Sequence, residues 1–283
     1  MRIIKSIKQM QEVSQDLKRK GKTIGFVPTM GALHQGHFSL MRRARKENDI
    51  VIVSIFVNPL QFGPKEDFQK YPRDLKSDAE LCKKKGVDII FYPAVKEMYV
   101  RGFRTYVRVE GLSDVLCGKF RPGHFRGVAT VVTKLFNIVL ADVAYFGQKD
   151  AQQAIILKRM VEDLSFPLKI RVLPTVRDKD GLAMSSRNAY LSQAKRKEAA
   201  VLYQALNVAQ KLIRGGKKSS ADIIRKIKRL IEKQKTVKVQ YIAIVNLDSL
   251  KPEDIIKGKV LIALAVLVGK TRLIDNIVIN SHD

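Results

Sequence analysis

Two histidines three residues apart, His34 and His37, bracket Gly36 in the stretch Pro28-Thr29-Met30-Gly31-Ala32-Leu33-His34-Gln35-Gly36-His37. The chemistry such a turn suits is phosphate handling. A helix entering at Gly36 offers unpaired backbone N–H groups and the positive end of its dipole, Gly31 and Gly36 let backbone approach closely, and two imidazoles can donate to phosphoryl oxygens. Three-residue spacing puts both rings toward one ligand. A lone pair of this kind is a weak pattern, and a surface pair beside a helix cap is the bland alternative. Against it, two of the chain's four histidines fall in this one Gly-rich turn.

The turn needs a strand before it and a helix after it, and the chain supplies that alternation through its first three-fifths. Short β-branched runs at 23–28, 50–57, 88–92, 143–146 and 169–173 predict strands. Amphipathic stretches lie between them: 74–85 ends at Gly86, and 127–140 carries Val128, Val131, Val132, Leu135, Phe136 and Val139 on one stripe. The expected fold class is α/β, a Rossmann-like parallel sheet with helices on both faces. Ligands in such folds sit beyond the carboxyl ends of the strands, so the loops after Pro28, Val57, Phe146 and Leu173 should converge on one crevice. After Pro174 the pattern changes to helical stretches at 192–213 and 220–235, separated by Gly215-Gly216, then strand-like runs at 239–245, 259–268 and 271–279. The last two, joined by Gly269-Lys270, predict a hairpin. Two domains are expected, 1–174 and a smaller α+β C-terminal lid, 175–283, with an antiparallel sheet.

Composition narrows the setting. No apolar run reaches the roughly 20 residues a membrane helix needs, and Lys5, Lys8, Asp16 and Lys18 break up the first twenty positions, unlike a secretory signal. Cys82 and Cys117 show no CxxC or metal-ligand spacing and read as structural thiols of a reducing compartment. A cytoplasmic protein is expected. The formal net charge of +26 would attract any polyanion. Clusters such as Arg42-Arg43-Ala44-Arg45-Lys46 and Arg225-Lys226-Ile227-Lys228-Arg229 lie in helical patterns, without a zinc finger, RRM signature or basic zipper, which favours solvated helix faces over nucleic acid.

The HxGH turn resembles the signature of the nucleotidylyl-transferase superfamily, and four further motifs narrow the likeness. Phe56-Val57-Asn58-Pro59-Leu60-Gln61-Phe62, Arg121-Pro122-Gly123-His124-Phe125-Arg126-Gly127-Val128, Phe146-Gly147-Gln148-Lys149-Asp150 and Met184-Ser185-Ser186-Arg187-Asn188 occur in the order seen in the pantothenate synthetase family. The resemblance runs to the closing Arg272-Leu273-Ile274-Asp275-Asn276 and so spans nearly the whole chain.

That resemblance implies adenylation of pantoate by ATP, then attack by the amine of β-alanine. It implies catalytic roles for His37, His34 and Lys149, and an ATP site built from Met30, Gly31, Ala32, Leu33, His34, Gln35, Gly36 and His37 with Gly147, Gln148, Lys149, Asp150, Val176, Met184, Ser185, Ser186 and Arg187. His37 matches the histidine usually labelled a proton donor, although electrostatic stabilisation is expected to matter more, in a protonation state that sequence leaves open. Lys149 precedes a helix, where a point cation reaches phosphates, and Asp150 can cap that helix or help place magnesium; a simple exposed turn is the alternative. Ser185, Ser186 and Arg187 can close over a departing pyrophosphate. Gln61 and Gln153, with amides that both donate and accept, suit pantoate's two hydroxyls and carboxylate, with Asn58 and Arg121 as weaker candidates. Met30 and Phe62 would wall the pocket. The resemblance also implies Mg2+ with the ATP, and a homodimer; the sequence singles out no metal ligands. Two rivals stay open: a nucleotidylyl transferase acting on a phosphorylated cofactor precursor, and a basic nucleic-acid-binding protein with a vestigial ATP site.

Overall fold

A computed structural model describes residues 1–64 and 66–280. Its contacts group the chain into two units. The first holds Met1–Asp114, Gly118–Gly147 and Gln152–Pro174; the second holds Val115–Cys117, Gln148–Ala151 and the chain from Thr175. In chain order the elements up to Pro174 are β1 (Arg2–Ile4), α1 (Ile7–Arg19), β2 (Ile24–Thr29), α2 (Gln35–Glu47), β3 (Ile50–Ile55), α3 (Leu75–Lys84), β4 (Ile89–Phe91), α4 (Val95–Met98), α5 (Cys117–Phe120), α6 (His124–Val139), β5 (Val143–Gly147), α7 (Ala151–Asp163) and β6 (Lys169–Leu173).

The six strands make one parallel sheet in the order β1-β4-β3-β2-β5-β6. Helices cover a parallel sheet on both faces, so its inner strands are nearly continuously apolar. Phe26, Val27, Ile52, Val53, Ile90, Phe91 and Tyr145 are accordingly buried. Five of the strands match predicted runs. The edge strand β1 was not predicted, because three residues with Arg2 and Ile3 exposed carry no usable period. From β2 the chain passes to β3 on one side, and from β5 it passes to β6 on the other, which makes the β2/β5 boundary the switch point where such sheets bind ligands. Pro28 contributes to the gap. It lies in a central strand yet beyond the last β2–β5 pair, Phe26↔Ala144, so its missing N–H is not needed there.

The second unit continues with α8 (Gln193–Ala199), α9 (Val201–Arg214), α10 (Ser220–Ile231), β7 (Val237–Asn246), β8 (Lys259–Val268) and β9 (Thr271–Asn280). The antiparallel sheet runs β7-β8-β9. Its core joins Leu202, Leu206 and Ile213 of α9 and Ile223, Ile227 and Ile231 of α10 to Ile262, Leu264 and Val266 of β8. The predicted β8–β9 hairpin forms, with Gly269 at φ 59 and Val268 facing Thr271. The predicted single helix 192–213 is instead two, because the Ala200 N–H bonds back three residues to the Lys197 carbonyl and interrupts the ladder. Among the described residues no helix is long and apolar enough to cross a membrane.

Candidate active site

In the first unit, β2 delivers the chain into a tightly tied turn. Thr29 Oγ1 donates to the Ser54 carbonyl at 2.7 Å and accepts from the Gly31 N–H at 3.2 Å. Gly31 has φ +83, and a Cβ there would lie 2.8 Å from Asp78 Oδ2. Asp78, buried on α3, accepts from the N–H groups of Ala32 (3.0 Å) and Leu33 (2.9 Å). Burial pushes its carboxyl above the ordinary value while the two amides pull it down. Sequence reasoning missed this residue; the available signal was an acid four positions from Cys82 on the buried face of α3.

A group whose pKa is raised by folding contributes stability below its unfolded value and loses it as pH rises through the folded one. Ionised Asp78 is therefore a net cost at neutral pH, retained for the geometry it imposes. Asp78→Asn is expected to shift the melting temperature little at neutral pH, because relief of the buried charge offsets the loss of one amide's acceptor, and to become less stable relative to wild type on acidification. It would also orphan one turn amide and slow ATP turnover about tenfold, about 1.4 kcal/mol. Melting curves from pH 7 down to about 4 beside activity assays test both parts, and undiminished turnover would remove Asp78 from the site.

His34 is the N-cap of α2. Its Nδ1 accepts from the Gly36 N–H at 3.1 Å, and its own backbone N–H donates to His37 Nδ1 at 3.3 Å. This is the reciprocal logic of a capping box, with imidazoles in place of Ser and Glu. Gly36 makes it possible, since a Cβ there would lie 2.8 Å from the His34 ring. The rings sit 4.2 Å apart. Because each Nδ1 accepts, each ring in this arrangement is neutral with its proton on Nε2. The helix thus starts at Gln35, with two Nε2–H donors at its positive end.

The 58–62 turn is held from three directions. Buried Asn58 donates from Nδ2 to Gln61 Oε1 and to the Gly127 carbonyl, both at 3.1 Å, while its Oδ1 accepts from Tyr99 Oη at 2.7 Å. Gln61 Nε2 contacts the Met30 sulfur at 3.1 Å, which joins this turn to the one above. The Gln61 carbonyl accepts from His124 Nδ1 (2.8 Å) and Arg121 Nη2 (3.2 Å). Arg121 in turn forks onto Glu66 at 2.6 and 2.5 Å, and that guanidinium holds the Glu66 carboxyl below the usual range against its burial. Gly127 permits the contact, as a Cβ there would lie 2.2 Å from the Leu60 carbonyl oxygen. Phe62 packs edge-on against Phe68 and Tyr71. Asn58 and Arg121 are thus engaged within the protein, and Gln153 is half-buried on the first turn of α7. A cavity of about 570 Å³ opens beside Met30, Phe56, Phe68, Tyr92 and Asp78; of the predicted site residues it takes in only Met30.

The second unit carries the other predicted group. Gln148–Asp150 forms a 3-10 turn in which Lys149 Nζ lies 3.8 Å from Asp150. Val176 accepts from the Met184 N–H at 3.0 Å, and Arg177 bridges to Ala183, so 176–184 is a small hairpin. Ser185 caps the 3-10 turn Ser186–Tyr190 that bears Arg187. Arg196 pins the hairpin through Asp178 (2.7 Å) and Asp180. Among the described residues, no group of three His, Cys, Asp or Glu side chains could hold a metal ion.

The first unit thus gathers Met30 through His37 with Asn58, Gln61 and Arg121, and the second gathers Gln148 through Asp150 with Val176 and Met184 through Arg187. An imidazole-capped helix at the switch point of a parallel sheet is a place suited to a phosphate-bearing ligand. The pantoate–beta-alanine ligase model matches residues 2–278. The chain belongs to that family and is a ligase. It is 56% identical over 281 residues to a pantothenate synthetase of Caldicellulosiruptor bescii, covering 99% of this chain and 100% of that protein. The crystal structure of pantothenate synthetase from Thermus thermophilus superposes with a TM-score of 0.93 at 45% identity, covering 98% of this chain and 99% of that one. The Francisella tularensis pantoate–beta-alanine ligase, solved with beta-gamma ATP and beta-alanine, gives 0.82 at 37% identity, covering 100% and 98%.

Proposed function

We propose that the chain joins pantoate to β-alanine through pantoyl adenylate, with nucleotide chemistry centred on the His34/His37 turn. In the first step a pantoate carboxylate oxygen attacks the α-phosphorus of ATP, the bond to the bridging oxygen breaks, and pyrophosphate departs. In the second the β-alanine nitrogen attacks the acyl carbon, the bond to AMP breaks, and the amine gives up a proton. Catalysis of such transfers rests on positioning and on stabilising charge at the phosphorus and leaving group. The observation that carries the reading is the pair of Nδ1 acceptors, which commits both imidazoles to donating from Nε2. The roles are therefore electrostatic: His34 and His37 donate to phosphoryl oxygens beside the α2 N-terminus, Lys149 adds a full positive charge, and Ser185, Ser186 and Arg187 take the pyrophosphate.

Backbone at Val176 meets adenine. Gln61 and Gln153 select the acid, and Met30 walls it. Asn58 and Arg121 act one step back, by fixing Gln61. Magnesium keeps several waters and binds mainly through phosphates with one or two carboxylates, a part Asp150 could supply. Mg2+ would arrive with the ATP. The working form is a homodimer of the cytoplasm, a state light scattering would measure. The deciding experiment follows exchange of labelled pyrophosphate into ATP. Exchange that requires pantoate supports the reading, and exchange indifferent to pantoate leaves the nucleotidylyl-transferase alternative in its place.

A further inference from the structure

β9 contains a polar pair, Asp275-Asn276, between the apolar residues Leu273-Ile274 and Ile277-Val278-Ile279, and both side chains are nearly fully buried. Neither residue suits a strand interior, and a buried carboxylate is an expensive way to gain stability. Their partners explain them. Asn276 Nδ2 donates to the carbonyls of Gln148 (3.0 Å) and Lys149 (2.9 Å), and its Oδ1 accepts from Gln148 Nε2 at 3.1 Å. One side chain thus makes three bonds to two consecutive residues of the 3-10 turn.

Asp275 alternates to the other face of the strand. It takes Arg177 as a fork, 2.6 Å to Oδ2 and 2.9 Å to Oδ1, and also accepts from the Asn276 N–H. The Arg177 guanidinium further donates to the Gly181 carbonyl at 3.1 Å and lies 4.2 Å over the Tyr203 ring. Arg177 follows Val176 and opens the hairpin that leads to Met184 and Arg187.

We propose that Asp275 and Asn276 are positioning residues that tie the Lys149 turn and the 176–187 segment to a single strand. Lys149 is then presented to the nucleotide by β9 and not by β5, which it follows in sequence. This rests on the reading that Lys149 meets the phosphates of ATP. The test is a double-mutant cycle on pantoate-dependent pyrophosphate exchange with Lys149→Ala and Asn276→Ala. Asn276→Ala alone is expected to lower the exchange rate at saturating ATP at least tenfold, while the KM for pantoate stays within twofold. In the Lys149→Ala background it is expected to lower the rate less than twofold further, because the group it positions is gone. A merely structural role predicts equal factors in both backgrounds, and that result would overturn the proposal. Should Asn276→Ala not fold, Asn276→Ser keeps one donor and enters the same cycle. Near wild-type exchange in Lys149→Ala alone would instead defeat the underlying reading of Lys149.

Discussion

His37→Ala is expected to slow pantoate-dependent pyrophosphate exchange about 100-fold, about 2.7 kcal/mol of barrier, the usual effect of removing one preorganised donor from a charge-stabilising site. The substitution removes two things at once: an Nε2–H aimed at developing charge, and the Nδ1 acceptor for the His34 N–H. Loss of a cap alone is worth about 1 kcal/mol of helix stability and no particular rate. Two further variants separate the contributions. His37→Glu places the ordinary capping-box acid at N3 and should recover the melting temperature, yet it sets an anion beside the phosphates and should stay slow. His37→Gln keeps an acceptor and an N–H, and should recover about tenfold of the lost rate. If the Glu variant matched wild type in exchange, His37 would be a cap and no more.

How much of this was legible in the sequence follows from how local each feature is. β2, β3 and β5 announce themselves because strands buried on both faces must be nearly continuously apolar, and 23–28, 50–57 and 143–146 are, broken only by Thr23 and Ser54. The break at Ala200 left no mark, since alanine favours helix and only the bond to Lys197 reveals the interruption. The HxGH turn and the 148–150 turn were readable because their chemistry is packed into ten residues or fewer. The orientation of His34 was not, because imidazole is no ordinary N-cap and its tautomer follows from a bond to Gly36. The residues that hold the site in shape lie far away in sequence. Asp78 acts on Leu33 across 45 residues, Arg121 on Gln61 across 60, and Asn276 on Gln148 across 128. Spacing and composition carry no trace of such pairings, even where, as at Arg272-Leu273-Ile274-Asp275-Asn276, a motif stands out without showing its job.

Asp275→Ala is expected to have the largest effect on stability of any single change near the site. The Asp275 side chain is 1% exposed and Arg177 16%, so removing the carboxylate strands a largely buried guanidinium. Breaking such a pair from one side costs about 3–5 kcal/mol, enough to lower the melting temperature by about 5–8 °C in a chain of this size. The pair itself need not be stabilising, because desolvation of both ions offsets most of their attraction. The double change Arg177→Met with Asp275→Leu should therefore regain most of the lost melting temperature. It should not regain activity, since nothing would orient the 176–184 hairpin against β9. Melting curves and pyrophosphate exchange on the single and double variants distinguish the two roles. A stable but slow double variant means the ion pair is kept for geometry. A stable and fully active one means that apolar packing orients the hairpin equally well, and that only Asn276, through the carbonyls of Gln148 and Lys149, is left to connect β9 to the chemistry.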